Sequence, residues 1–124
     1  SLQGAFGEIY WALDSETGVQ KDALVTGCSS IFHSLGCAIA IADALKEPNA
    51  TLKQVQQKLK TALTDHPDAF DRTWDSKARY SMDWFYPVLT GVLTGSAALA
   101  HIDQRWDEFV VDQLGCRCVN DQPW

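Results

Sequence analysis

The stretch TGCSSIFHSLGCAIAIADALK, residues 26–46, decides the reading of the fold. Ile31, Phe32, Leu35, Cys37, Ala38, Ile39, Ile41, Ala42, Ala44 and Leu45 make it apolar on nearly every side, the pattern of a helix surrounded by protein. Thr26, Ser29 and Ser30 can supply an N-terminal cap, and Pro48 fits a stop. Immediately after it, Thr51-Leu52-Lys53-Gln54 has the form of a capping box. Leu52, Val55, Leu59, Ala62 and Leu63 then recur at helical spacing, with Lys53, Gln56, Gln57 and Lys60 on the other side. An apolar inner helix followed by an amphipathic outer one is the expectation.

The rest of the chain extends that pattern. Residues 1–25, with Gly4, Gly7, Gly18 and the polar cluster Asp14-Ser15-Glu16-Thr17-Gly18, read as an entry segment that is largely loop. His66-Pro67 breaks the second helix. Trp84, Phe85, Val88, Leu89, Val92 and Leu93 predict a second inner helix over residues 82–94, with Pro87 tolerated in its first turn. Leu99, Ile102, Trp106, Phe109 and Val110 predict a second outer helix closed at Leu114-Gly115. Ser30 and Ser81 stand at corresponding points of the two inner helices, which suggests a repeat of about 50 residues. The fold class expected is therefore all-α: antiparallel helical hairpins forming a partial α/α toroid, with residues 1–124 as one helical domain of a longer toroid.

Composition narrows the partners. Sixteen acidic against ten basic residues give a net charge of −6, which disfavours nucleic acid and anionic lipid surfaces. The longest apolar run, residues 31–45, is interrupted by His33, Ser34 and Asp43 and is shorter than the roughly 20 apolar residues of a membrane span. No charged segment with a cleavable apolar run opens the chain, so a cytoplasmic location is expected. Cys28, Cys37, Cys116 and Cys118 match no disulfide framework or zinc spacing and read as four buried thiols.

Gly27-Cys28-Ser29-Ser30-Ile31, the run WDSKARYSMDWFYPVL at residues 74–89, and Gly115-Cys116-Arg117-Cys118-Val119 resemble bacterial prenyltransferase-like proteins of the superfamily that includes terpenoid cyclases and protein prenyltransferases. The resemblance implies concentric inner and outer helices around a cavity for an apolar, isoprenoid-type substrate. It also implies a chain longer than this one. The cyclase Asp-x-Asp-Asp motif is absent, and the Asp-x-Cys zinc pair of the prenyltransferases is not matched by Asp112 and Cys116, so no metal or cofactor is expected.

Two groups of residues have the composition of a site. Tyr80, Trp84, Phe85 and Tyr86 surround Asp83 at a helix start; aromatic walls suit an apolar or cationic ligand, and Asp83 is the candidate catalytic acid. The ordinary alternative is core aromatics beside a helix-start carboxylate favoured by the dipole. His33 can face the same cavity as a proton carrier. Asp68, Asp71 and Asp75 would share one face of a helix begun by Pro67, where hard oxygen ligands could hold Mg²⁺ on a substrate diphosphate with Arg72, Lys77 or Arg79 neutralising phosphate, so that Asp71 and Asp75 contact substrate; the alternative, and the one that leaves no metal expected, is a solvated acidic face with an Asp75–Arg79 pair. Whether the chain is catalytic stays open. The rivals to the prenyltransferase-like reading are a non-catalytic helical-repeat module for protein interaction or self-association, including a homo-oligomer, and a glycan-active toroid enzyme using carboxylates such as Asp75 and Asp83.

Overall fold

A computed structural model describes residues 1–123. Among the described residues there are five α-helices and two small antiparallel two-stranded sheets, so the architecture is mixed and not all-α. The first sheet lies in the segment expected to be loop. Strands β1 (Ala12–Asp14) and β2 (Gly18–Gln20) pair with Ala12 opposite Gln20. The polar cluster between them closes the hairpin: the Asp14 carboxylate accepts from the Thr17 and Glu16 backbone N–H groups at 2.7 and 2.9 Å and from the Thr17 hydroxyl at 2.9 Å. Gly18 takes φ +77, a conformation open to glycine.

Helix α1 (Val25–Leu45) and helix α2 (Ala50–Asp65) form an antiparallel pair. Their ends are not built as the sequence suggested. Leu24 precedes α1 in an extended conformation without a side-chain cap, so Thr26, Ser29 and Ser30 have no capping role. At its other end Lys46 turns left-handed, φ +58, and the Lys46 and Glu47 N–H groups bond to the carbonyls of Asp43 and Ala42. Asn49 precedes α2, but its amide donates to Asp43 Oδ1 at 2.6 Å, and the expected capping box is not formed. The core between the helices consists of Ala23, Cys28, Leu59, Ala62, Ala69 and Phe70, with Ile31, Phe32, Leu35 and Leu63 partly buried against it.

The apolar composition of α1 does not translate into burial on all sides. Cys28 and Ser29 are its buried residues, whereas Ile41 and Leu45 are 61% and 66% exposed. At 21 residues it also has the length and composition of a membrane span, which the count over residues 31–45 did not suggest. Of the cysteines only Cys28 is buried; Cys37, Cys116 and Cys118 are exposed, against the expectation of four buried thiols. Burial, with the nearby Glu8 charge, pushes the Cys28 thiol up to about 11 despite its hydrogen bond with the Ile9 backbone.

The second half departs further. Helix α3 (Ser81–Leu89) is shorter than residues 82–94, and Pro87 lies inside it rather than in the first turn. Proline cannot donate to the carbonyl four residues back. The helix ends two residues later, and Gly91 turns the chain at φ +80. Helix α4 (Gly95–Asp103) and the single turn α5 (Trp106–Phe109) divide what read as one outer helix. Val110 then enters strand β3 (Val110–Val111), paired with β4 (Gly115–Cys116). Adjacent β-branched valines favour this extended geometry. With α1 at 21 residues and α3 at 9, the two inner helices are not copies of one another, and the repeat of about 50 residues is not seen.

Trp84 anchors a second core: its ring stacks on Phe109 at 5.1 Å, its Nε1–H donates to the His101 carbonyl at 3.1 Å, and the His101 ring nitrogen Nε2 lies 2.7 Å from the Trp84 carbonyl.

Candidate functional site

Two buried or half-buried aspartates shape the connection between α2 and α3. Asp22, which follows β2, accepts from the Arg72 and Thr73 backbone N–H groups at 3.0 and 2.6 Å and from the Thr73 hydroxyl at 2.6 Å. Burial alone would raise its carboxyl, but these bonds from Thr73 and Arg72 outweigh it and hold Asp22 below the usual carboxylate range. Asp71 sits in the left-handed region at φ +53. One of its oxygens accepts from Trp74 Nε1 at 2.5 Å and the other from the Lys77 backbone N–H at 2.7 Å. Arg72 also reaches back to the fully buried Glu8, Nη2 to Oε1 3.2 Å, and to the Lys21 carbonyl. The loop is thus tied to the N-terminal segment at several points.

This scaffolding presents Trp74 and Lys77 toward solvent-facing space beside Trp11 and Leu24. The four residues line a shallow concavity of about 270 Å³. Trp11 and Trp74 meet edge to face, centroids 5.6 Å apart at 84°. Leu24 and Lys77 also belong to a second concavity of about 240 Å³, completed by Thr26, Tyr80, Met82, Asp83 and Cys118. The two therefore share Leu24 and Lys77 as a common wall, and together they make up the candidate groove. Cys118 brings in the C-terminal segment, which is held by a bond from the Ser81 N–H to the Cys118 carbonyl at 2.9 Å and by the Tyr80–Val119 bridge.

Asp83 is the ionisable group of chemical interest in this groove. Burial pushes its carboxyl up to about 6; the negative charge of Asp71 adds to this, while Arg105, His101 and Lys77 act against it. A helix N-terminus favours the ionised form, so burial prevails over that preference. A carboxyl with such a value can hold a proton near neutral pH and give it up, the property required of a general acid.

The other residues singled out in the sequence are dispersed. Tyr80 lines the Asp83 concavity, 40% exposed, with the Arg79 guanidinium 5.6 Å from its ring centroid. Trp84 is buried against Phe109 and does not line that concavity. His33 and Tyr86 share a different depression with Ser30, Ser34, Leu89 and Thr90. Asp71 organises the loop, and Asp75 is exposed, its backbone carbonyl accepting from Lys77 Nζ at 2.7 Å. Pro67–Ala69 forms a single 3-10 turn, so Asp68, Asp71 and Asp75 do not share a helix face. Among the described residues no group of three or more His, Cys, Asp or Glu side chains is arranged to hold a metal ion. Trp11, Leu24, Trp74 and Lys77 were not singled out as a site. The available signal was a pair of tryptophans, Trp11 shortly before the polar Asp14–Gly18 turn and Trp74 between Asp71 and Asp75.

No family model matches the chain. Over 118 residues it is 49% identical to a protein of Mycolicibacterium hassiacum named MMP endo-(1,4)-3-O-methyl-alpha-D-mannosidase. The match takes in 95% of the chain but 32% of that protein, so the chain spans about a third of the length of the curated relative it matches. This similarity overturns the prenyltransferase-like and terpenoid-cyclase reading: the relative carries a glycosidase name, and no family model links the chain to the isoprenoid superfamily. An isoprenoid-binding function and a helical-repeat module both lose their support.

Proposed function

We propose that the chain belongs to an α-mannoside-cleaving glycosidase acting within chains of 4-linked, 3-O-methylated mannose, and that Asp83 is its proton donor. The 49% identity to the named endo-mannosidase supplies the reaction class. The observation that carries the assignment to this groove is Asp83, a half-buried carboxyl raised to about 6, facing a concavity next to two tryptophans. Glycoside hydrolysis in most enzymes of this kind uses two carboxyl groups, one protonated to assist departure of the leaving oxygen and one ionised. In this reading Asp83 gives its proton to the glycosidic oxygen as the bond to the anomeric carbon breaks, and water adds its hydroxyl to that carbon while its other proton passes to the ionised carboxylate. Asp75, solvent-exposed and two residues from Lys77, is the proposed ionised partner. Asp71 is excluded from that role by its position, since both its oxygens are engaged by Trp74 and Lys77.

The test is product analysis. The protein carrying this chain is incubated with a polymer of 4-linked 3-O-methyl-α-mannose, and oligosaccharide release is followed by chromatography. Internal cleavage that is lost in Asp83→Asn while substrate binding persists is the expected result. Cleavage by Asp83→Asn at the wild-type rate removes Asp83 from the mechanism, and no cleavage by the wild-type protein removes the mannosidase reading itself.

A further inference from the structure

We propose that the Trp11–Trp74 concavity is a subsite that selects the O-methyl group of the sugar, making Trp11 a specificity residue; this rests on the mannosidase reading above. The argument begins with what the walls offer. Trp11, Leu24, Trp74 and the aliphatic stem of Lys77 present ring faces and hydrocarbon. The indole N–H of Trp74 is already committed, donating to Asp71, and the Lys77 ammonium is turned toward the Asp75 carbonyl, to which one of its hydrogens is donated at 2.7 Å. The Lys77 ammonium also lies 5.6 Å from the Trp74 ring centroid.

A free sugar hydroxyl pressed against such walls gives up hydrogen bonds to water and finds poor replacement, which is unfavourable. A methyl ether at the same place carries no hydroxyl proton to satisfy and adds apolar contact with two rings held at 84°. The same walls therefore favour the methyl ether over the free hydroxyl. The concavity is about 270 Å³, the scale of a single sugar unit, and it joins the Asp83 concavity through Leu24 and Lys77. A methylated unit seated against the tryptophans would place the neighbouring linkage toward Asp83. Rigidity favours selectivity as well: Asp71 fixes the Trp74 ring, and the Trp11 backbone N–H is bonded to the Asp22 carbonyl at 3.0 Å.

The experiment measures binding and cleavage of two oligosaccharides, 4-linked 3-O-methyl-α-mannose tetramer and its unmethylated counterpart, by isothermal titration and product release. Trp11 is 57% exposed, so Trp11→Ala removes a wall without excavating the core. The wild-type protein should favour the methylated tetramer by about tenfold or more, the lower end of what one methyl group yields in an apolar pocket. Trp11→Ala should bring the two affinities together chiefly by weakening the methylated ligand, and Trp11→Phe should restore most of the preference. Equal wild-type affinity for both tetramers with cleavage intact overturns the subsite and leaves the mannosidase reading standing. A preference unchanged in Trp11→Ala also overturns it. Failure of the wild-type protein to bind or cleave either tetramer overturns both.

Discussion

Asp83 and Asp22 illustrate opposite uses of a carboxylate. Asp22 is buried but satisfied by Ala23, Arg72 and Thr73, so it contributes to stability. Replacement by alanine should lower unfolding free energy by about 3 kcal/mol, seen as a lower urea midpoint, because several buried donors lose their acceptor together. Its carboxyl lies below the usual range in the folded protein, so the stabilisation is present above the unfolded-state value and is lost as pH falls through the folded one. Asp83 behaves in the reverse sense. Its folded value of about 6 exceeds an ordinary aspartate's, so the folded state binds the extra proton between about pH 4 and 6 and stability declines as pH rises through that window. Asp83→Asn should therefore stabilise the protein at pH 7 by about 1 kcal/mol, a figure reduced for the solvent that reaches the half-buried group. The difference should vanish below about pH 4 in paired urea titrations.

At the scale of elements, the same apolar residue type has different weight according to what covers it. Leu59 on α2 is fully buried, and Leu59→Ala should cost about 3 kcal/mol. Ile41 on α1 is 61% exposed, and Ile41→Ala should change the urea midpoint little, by about 0.5 kcal/mol at most. Gly7 joins the N-terminal segment to α2: it has φ +105, and an added Cβ would lie 2.3 Å from the Lys58 carbonyl oxygen. Gly7→Ala should destabilise the protein by about 2 kcal/mol or more in the same assay, combining backbone strain with a contact to main chain that cannot rotate away. The periodicity of Leu59 and Ala62 made α2 legible in the sequence, since one face of a helix is a local property. The burial of α1 was not legible, because an apolar sequence does not state how many neighbours arrive to cover it. The hairpins were missed for a related reason. Asp14 to Gly18 was read as a turn, but three-residue strands carry too little alternation to be seen beside it, and Val110 continued a helical stripe that the structure breaks at Arg105.

Across the whole molecule, the groove is assembled from distant pieces of chain. Trp11 comes from the N-terminal segment, Leu24 from the start of α1, Trp74 and Lys77 from the loop before α3, Asp83 from α3 and Cys118 from the C-terminal segment. Asp83 and Tyr80 were recognisable as a site because they are near neighbours in sequence. Trp11 and Trp74 were not, because their segments are brought together by bonds between residues about 50 or more apart in sequence, those of Asp22 with Arg72 and Thr73 and of Arg72 with Glu8. Resemblance in short motifs pointed instead to an isoprenoid enzyme, while the 49% identity runs over 118 residues and points to a glycosidase. The central claim is that Asp83 delivers the proton in mannoside cleavage, and the pH dependence of kcat/KM on the 3-O-methylated polymer tests it most directly. The wild-type rate should fall on the alkaline side with a midpoint near 6, and Asp83→Asn should lose this limb with a rate lower by about 10²–10⁴-fold. An Asp83→Asn variant that keeps both the wild-type rate and the same alkaline limb would contradict the account.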